Sequence, residues 1–63
     1  MGTPAPRRLL LSVEQAAEML SIRRTLMMRL IYEGEVGSVT VGRRRLIPTS
    51  ALEEFVDRRR EEA

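Results

Sequence analysis

The sequence predicts a small, mainly α domain of the winged helix-turn-helix class, with element order α-α-β-β-α and a β-hairpin as the wing. Two short segments of helical periodicity are separated only by Ser21-Ile22-Arg23, and a joint that short makes the two helices spatial neighbours. The pattern then switches to the β-branched run Val36-Gly37-Ser38-Val39-Thr40-Val41, broken at Gly42 and followed by Arg43-Arg44-Arg45-Leu46-Ile47, which reads as a hairpin turning near Gly42-Arg43. Pro48 ends the hairpin, and a third helical pattern follows it.

The elements are justified in chain order. Residues 1–8 contain Pro4, Pro6, Arg7 and Arg8, offer little to pack, and read as a disordered basic arm. The folded domain is expected over residues 9–57. The first helix opens on Ser12-Val13-Glu14-Gln15, a capping box in which the Ser12 hydroxyl accepts from the Gln15 amide and the Gln15 side chain reaches back. Val13, Ala16, Ala17 and Leu20 then form a core stripe at i, i+3, i+4, i+7, while Glu14 and Glu18 point away. The two small alanines permit close approach of another helix. At about eight residues this helix needs a partner to persist.

The second helix is expected from Arg23 or Arg24 to Glu33, with Gly34 as its left-handed stop. Met27, Leu30 and Ile31 face the core, and Thr25, Met28, Arg29 and Tyr32 share the opposite face. Leu26, beside that face, is expected to pack against neighbouring elements. The hairpin register stays open between two loops. A two-residue loop pairs Val39 with Leu46 on the core face, and a three-residue loop puts Val39 there with Ile47. For the third helix, Ser50-Ala51-Leu52-Glu53 offers a second capping box, with Thr49 as a competing cap. Leu52, Phe55 and Val56 form its apolar edge. Residues 58–63 form a charged C-terminal tail, either frayed or continuing that helix, with Arg58, Arg59 and Arg60 suited to the negative end of its dipole.

Composition excludes most chemistry. The 63 residues make one domain without cysteine or histidine, which removes disulfides, Cys/His zinc ligands, thiol nucleophiles and imidazole bases. Glu53 and Glu54, like Glu61 and Glu62, are sequence neighbours that diverge on a helix rather than converge as a catalytic pair. No catalytic activity, cofactor or metal is expected. The longest apolar runs, residues 9–11 and 26–28, fall far short of the ~18 residues of a membrane span, and the N-terminus has no secretory-type apolar core. The expectation is a cytoplasmic protein without a membrane partner.

Charge points to a polyanion. Net charge is only +2, but residues 7–48 hold eight arginines against four glutamates, and residues 49–63 hold three arginines against five acids. A basic body with an acidic end suggests one face meant for a polyanion. All eleven basic residues are arginine, for which coding bias in a GC-rich genome is an alternative explanation. A B-DNA major groove admits one α-helix, and the second helix offers Arg24, Thr25, Met28, Arg29 and Tyr32 to it. Arg29 suits guanine O6/N7, worth roughly 1–3 kcal/mol of discrimination if bidentate, and Met28 suits a thymine methyl. Arg23 and Arg24, at the helix start, suit phosphates. Arg43, Arg44 and Arg45 at the hairpin tip suit a minor groove or phosphates; their alternative role is a solvated edge that prevents hairpins of different molecules from pairing. Tyr32 could instead cover the edge of the core.

Leu11-Ser12-Val13-Glu14-Gln15-Ala16-Ala17-Glu18-Met19-Leu20, Arg24-Thr25, Arg29-Leu30-Ile31, Gly34-Glu35, Val41-Gly42-Arg43-Arg44 and Ile47-Pro48 through Ala51-Leu52-Glu53-Glu54-Phe55 together resemble the excisionase-type DNA-binding domain, a family related to the MerR-like winged helix domains. The resemblance covers about residues 9–57. It implies a recombination directionality factor of a phage or integrative element, nucleoid-associated in a prokaryote. Such a factor binds double-stranded DNA beside the sites of an integrase (a tyrosine or serine recombinase). Relatives often bind as adjacent copies of themselves, bend the DNA and favour excision over integration. Other relatives are transcriptional regulators, and that reading stands beside the first. A protein-interaction module without nucleic acid is a third. Three positions depart from the family. Arg23 replaces the serine that usually caps the second helix, leaving that end frayed or capped by Ser21. Met28 stands where an aromatic is frequent. Arg45 replaces a common aromatic and makes the wing more basic.

Overall fold

Six elements follow one another in the computed structural model, which describes residues 8–62: β1 (Leu10–Leu11), α1 (Val13–Leu20), α2 (Arg24–Tyr32), β2 (Val39–Val41), β3 (Arg44–Pro48) and α3 (Thr49–Glu62). The arm expected over residues 1–8 lies outside the described residues except for Arg8, whose carbonyl accepts the Thr49 hydroxyl at 2.6 Å.

The order differs from expectation by one strand. Leu10 and Leu11 pair antiparallel with the end of β3, opposite Pro48 and Ile47, so the sheet runs β1-β3-β2. Two residues are too few to show alternation, and the partner strand lies far along the chain.

Ser12 caps α1 as its sequence requires. Its hydroxyl accepts the Gln15 amide at 3.1 Å, and its own amide donates to Gln15 Oε1 at 3.0 Å. Ser12→Ala leaves an amide without its acceptor and is expected to cost about 1 kcal/mol, a drop of about 4–8 °C in Tm for a domain this small. Thermal melting followed by circular dichroism checks this, with Ser12→Thr expected to retain most of the stability.

Ser21 closes α1 rather than capping α2. It sits in the left-handed region at φ 59°, and its amide donates to the Ala17 and Glu18 carbonyls. The N-cap of α2 is Arg23, extended and without a side-chain cap bond. Gly34, at φ 77°, provides the positive φ that turns the chain out of α2, and the Glu35 and Val36 amides return to the Leu30 carbonyl.

The three helices and β3 close on Met27, Ile47 and Val36, the largest fully buried side chains. Val13, Ala16 and Ala17 of α1 join Met27, Leu30 and Ile31 of α2 in this core, with Leu11 and Leu52. Leu20 and Phe55 are half-buried at its margin. Two expectations fail here: Leu26 and Val56 each remain 40% exposed. Both point to a flank of the molecule that no element of the described chain covers.

The hairpin adopts the two-residue loop, with Val39 opposite Leu46 and Val41 opposite Arg44. Gly42 supplies the positive φ, 63°, at the first central position of the turn, the requirement of a type II′ hairpin. The face assignment was nevertheless inverted. Ile47 is the buried residue of β3, Leu46 is half-buried and Val39 is exposed. Pairing with β1 sets this parity, because Leu11 and its partner Ile47 enter the core together.

α3 begins at Thr49, one residue before the Ser50 that the sequence offers as its cap. The Thr49 amide donates to the Leu9 carbonyl and its hydroxyl to Arg8, so this residue ties the helix start to β1. At the other end α3 runs to Glu62, and the charged residues 58–62 are its last turns. Arg58 donates to the Glu35 carbonyl, and the Arg59 guanidinium lies 5.2 Å from the Phe55 ring centroid. Among the described residues, no helix is long and apolar enough to cross a membrane.

Candidate nucleic-acid interface

The surface opposite the core stripe of α2 divides by helical angle. Thr25, Arg29 and Tyr32 point away from the core and are exposed, Tyr32 to 76%. Arg24 and Met28, one step round the helix, lean towards the hairpin, and Met28 is half-buried there. On the other flank Arg23, Thr25, Leu26 and Arg29 line a second, separate groove.

Strand parity decides where the wing points. Successive residues of a strand face opposite sides, so Arg45 shares the face of buried Ile47 and turns towards α2. Its guanidinium carbon lies 5.9 Å from the centroid of the Tyr32 ring, within range of a cation–π contact. Arg44 and Arg45 of the wing and Arg24, Met28 and Tyr32 of α2 line one open concavity of about 370 Å³. Arg43 sits in the turn itself, at the hairpin tip, outside that lining. The predicted residues thus fall into a helix-and-wing group, a group on the far flank of α2, and the exposed tip.

Glu14 belongs to this surface although its sequence position gave no sign of it. It stands in the first turn of α1, and its Oε1 accepts the Arg24 Nε at 2.9 Å. Taking Nε leaves the two terminal amino groups of Arg24 for another acceptor. The pair is exposed, with side chains 61% and 65% accessible. Arg29 is held more loosely, 3.6 Å from Glu33 one turn along, so it can leave that partner at little cost. The concavity therefore carries three guanidinium groups against one carboxylate.

The Glu14 carboxyl is held below its usual value of 4.5, first by a hydrogen bond from its own backbone amide and then by the Arg24 side chain. A depressed folded-state value means that the contribution of the pair is present at neutral pH and is lost as pH falls through that value. Titration of Glu14 by carbon-detected NMR is expected to give a midpoint below 4.5. In Arg24→Ala the midpoint should rise but stay below 4.5, because the amide hydrogen bond remains.

A family model described as "Helix-turn-helix domain" matches residues 10–60. The chain belongs to this helix-turn-helix family. Its two helices are α1 and α2, and the turn is Ser21-Ile22-Arg23 with its left-handed serine. Among curated proteins, the helix-turn-helix domain is 43% identical over 53 residues to a "Probable excisionase" of Saccharopolyspora erythraea. That alignment covers 84% of this chain and 54% of the relative, so the chain spans about half the length of the curated protein it matches. No solved structure matches it.

Proposed function

We propose that this helix-turn-helix chain binds double-stranded DNA sequence-specifically as an excisionase. In this reading α2 enters the major groove and the wing the adjacent minor groove. The observation that carries it is the concavity shared by Arg24, Met28 and Tyr32 of the helix and Arg44 and Arg45 of the hairpin, which supports a reading in which both elements meet one duplex. Arg29 and Thr25 address base edges, with Tyr32 beside them, and Met28 addresses a thymine methyl. Arg23 and Arg24 hold phosphates at the start of α2, and Arg43, Arg44 and Arg45 occupy the minor groove or its phosphates.

The excisionase role rests on the similarity to the Saccharopolyspora erythraea protein. On that reading the chain assists an integrase, a tyrosine or serine recombinase, in excising a phage or integrative element, at DNA in the prokaryotic cytoplasm. A domain of this size reads few base pairs, so specificity comes from adjacent copies and from DNA bending.

The test is binding to DNA from the chain's own genetic neighbourhood across a range of salt. Log K against log[salt] is expected to fall by roughly 0.9 per phosphate neutralised. Arg29→Ala should relax sequence preference, costing about 1–3 kcal/mol at its preferred site and little elsewhere. A flat salt response with an unchanged Arg29→Ala variant would contradict the DNA reading. Circular-permutation gels test the bend, and the same gels with the neighbouring integrase test the assistance.

A further inference from the structure

We infer that α3 carries a self-association surface, on which two copies of the chain pair across a two-fold axis with their third helices antiparallel and Val56 at the crossing. Val56 is 40% exposed, and Met19 beside it on α1 is 60% exposed. Two grooves meet there and share Leu20 and Val56. One is floored by Leu26, Leu30 and Phe55 and rimmed by Arg59 and Arg60. The other is floored by Met19 and Leu52 and rimmed by Glu53 and Asp57. The apolar strip therefore has an arginine rim at one end and an acidic rim at the other.

That arrangement selects a second copy as the occupant. Glu53 lies three residues before Val56 and Arg59 three residues after it, on the same side of the helix. In an antiparallel pair centred on Val56, the Glu53 of each chain faces the Arg59 of the other, and apolar strip meets apolar strip. A partner helix of one charge sign satisfies only one rim, whereas a two-fold interface is self-complementary by construction. Glu53 is already engaged within its own chain, so the added arginine joins an existing interaction rather than filling a vacancy.

The surface leaves the concavity between α2 and the wing open, while Leu26 at its edge also borders the groove of Arg23, Thr25 and Arg29. Leu26 and Leu30 face it from the flank of α2 opposite the one on which Arg24, Met28 and Tyr32 meet the wing. If the proposed DNA binding holds, such a pair presents its two α2 helices with two-fold symmetry and favours inverted repeats. Pairing that is weak in solution becomes effective once two copies share one duplex.

Sedimentation equilibrium of the intact chain without DNA tests the pairing independently of any DNA site. The wild type is expected to self-associate reversibly below about 1 mM. Glu53→Arg and Arg59→Glu, each placing like charges opposite one another, should raise the dissociation constant by at least about tenfold. Mixing the two variants juxtaposes opposite charges at both rims and should restore association to within about threefold of the wild type, which a folding defect in either variant could not do. A wild type that stays monomeric at that concentration, or a mixture that associates no better than its components, overturns the inference and leaves the DNA reading untouched.

Discussion

Replacing Arg43, Arg44 and Arg45 together with alanine is expected to weaken DNA binding by on the order of a hundredfold at moderate salt and to flatten the salt dependence by about two to three units of slope. The wing is the one element whose polar surface is built almost wholly of guanidinium groups, and all three arginines are exposed. None of them is part of the buried core, so helicity and Tm should stay close to wild type. Arg45 carries a further consequence, because its loss also frees Tyr32 of α2 from the contact at 5.9 Å. Arg45→Ala alone should therefore disturb sequence preference as well as affinity. Arg43→Ala, altering only the hairpin tip, should reduce affinity across all sequences alike. Fluorescence-anisotropy titrations at several salt concentrations, with circular dichroism on the same samples, separate these outcomes. Undiminished affinity in the triple variant would return the wing to a solvated edge.

Met27→Ala should be the most damaging single change to the fold. Met27 is wholly buried, 0% exposed, in the core cluster where α2 packs on α1. Removing a buried methionine side chain to alanine costs about 2–5 kcal/mol. A domain of this length has a total stability of roughly 3–9 kcal/mol, so the variant is expected to be partly or wholly unfolded at 25 °C. Where it folds, its Tm should fall by about 10 °C or more. Met27→Leu nearly conserves volume and should cost less than about 1.5 kcal/mol. Urea and thermal melts of the two variants provide the check. A shift below about 5 °C for Met27→Ala would mean that the helices do not close on this side chain.

The helices were legible in the sequence because their signals are local. Ser12 and Gln15 are three residues apart, and the stripes Val13, Ala16, Ala17 and Met27, Leu30, Ile31 repeat within two turns, so spacing alone identifies cap and buried face. The hairpin was legible as an element but not in its facing. A shift of one residue moves every side chain to the other side of a strand, and the deciding contact is Leu11 with Ile47, in a strand too short to be seen. The wing arginines were evident from their clustering, but the approach of Arg45 to Tyr32 depends on that same parity. Glu14 was invisible as part of the site: its partner Arg24 lies ten residues on, across a turn whose geometry is set by left-handed Ser21. Leu26 and Val56 misled for a related reason. The spacing of Val56 marks an apolar edge and Leu26 is an apolar side chain beside the polar face, and only the tertiary arrangement shows how far each stays exposed.

The central claim is that one duplex is held in two grooves at once, by α2 and by the wing. Paired footprints on the same DNA test it most directly: interference by guanine N7 methylation reads the major groove, and hydroxyl-radical protection reads the backbone along the minor groove. The expected result is N7 interference at the site of α2, with protection of the adjacent minor groove about half a helical turn, roughly 5 base pairs, away. In the triple wing variant the minor-groove protection should vanish while the N7 interference persists at higher protein concentration. Minor-groove protection that survives loss of all three wing arginines, or N7 interference unaffected by Arg29→Ala, would contradict the account.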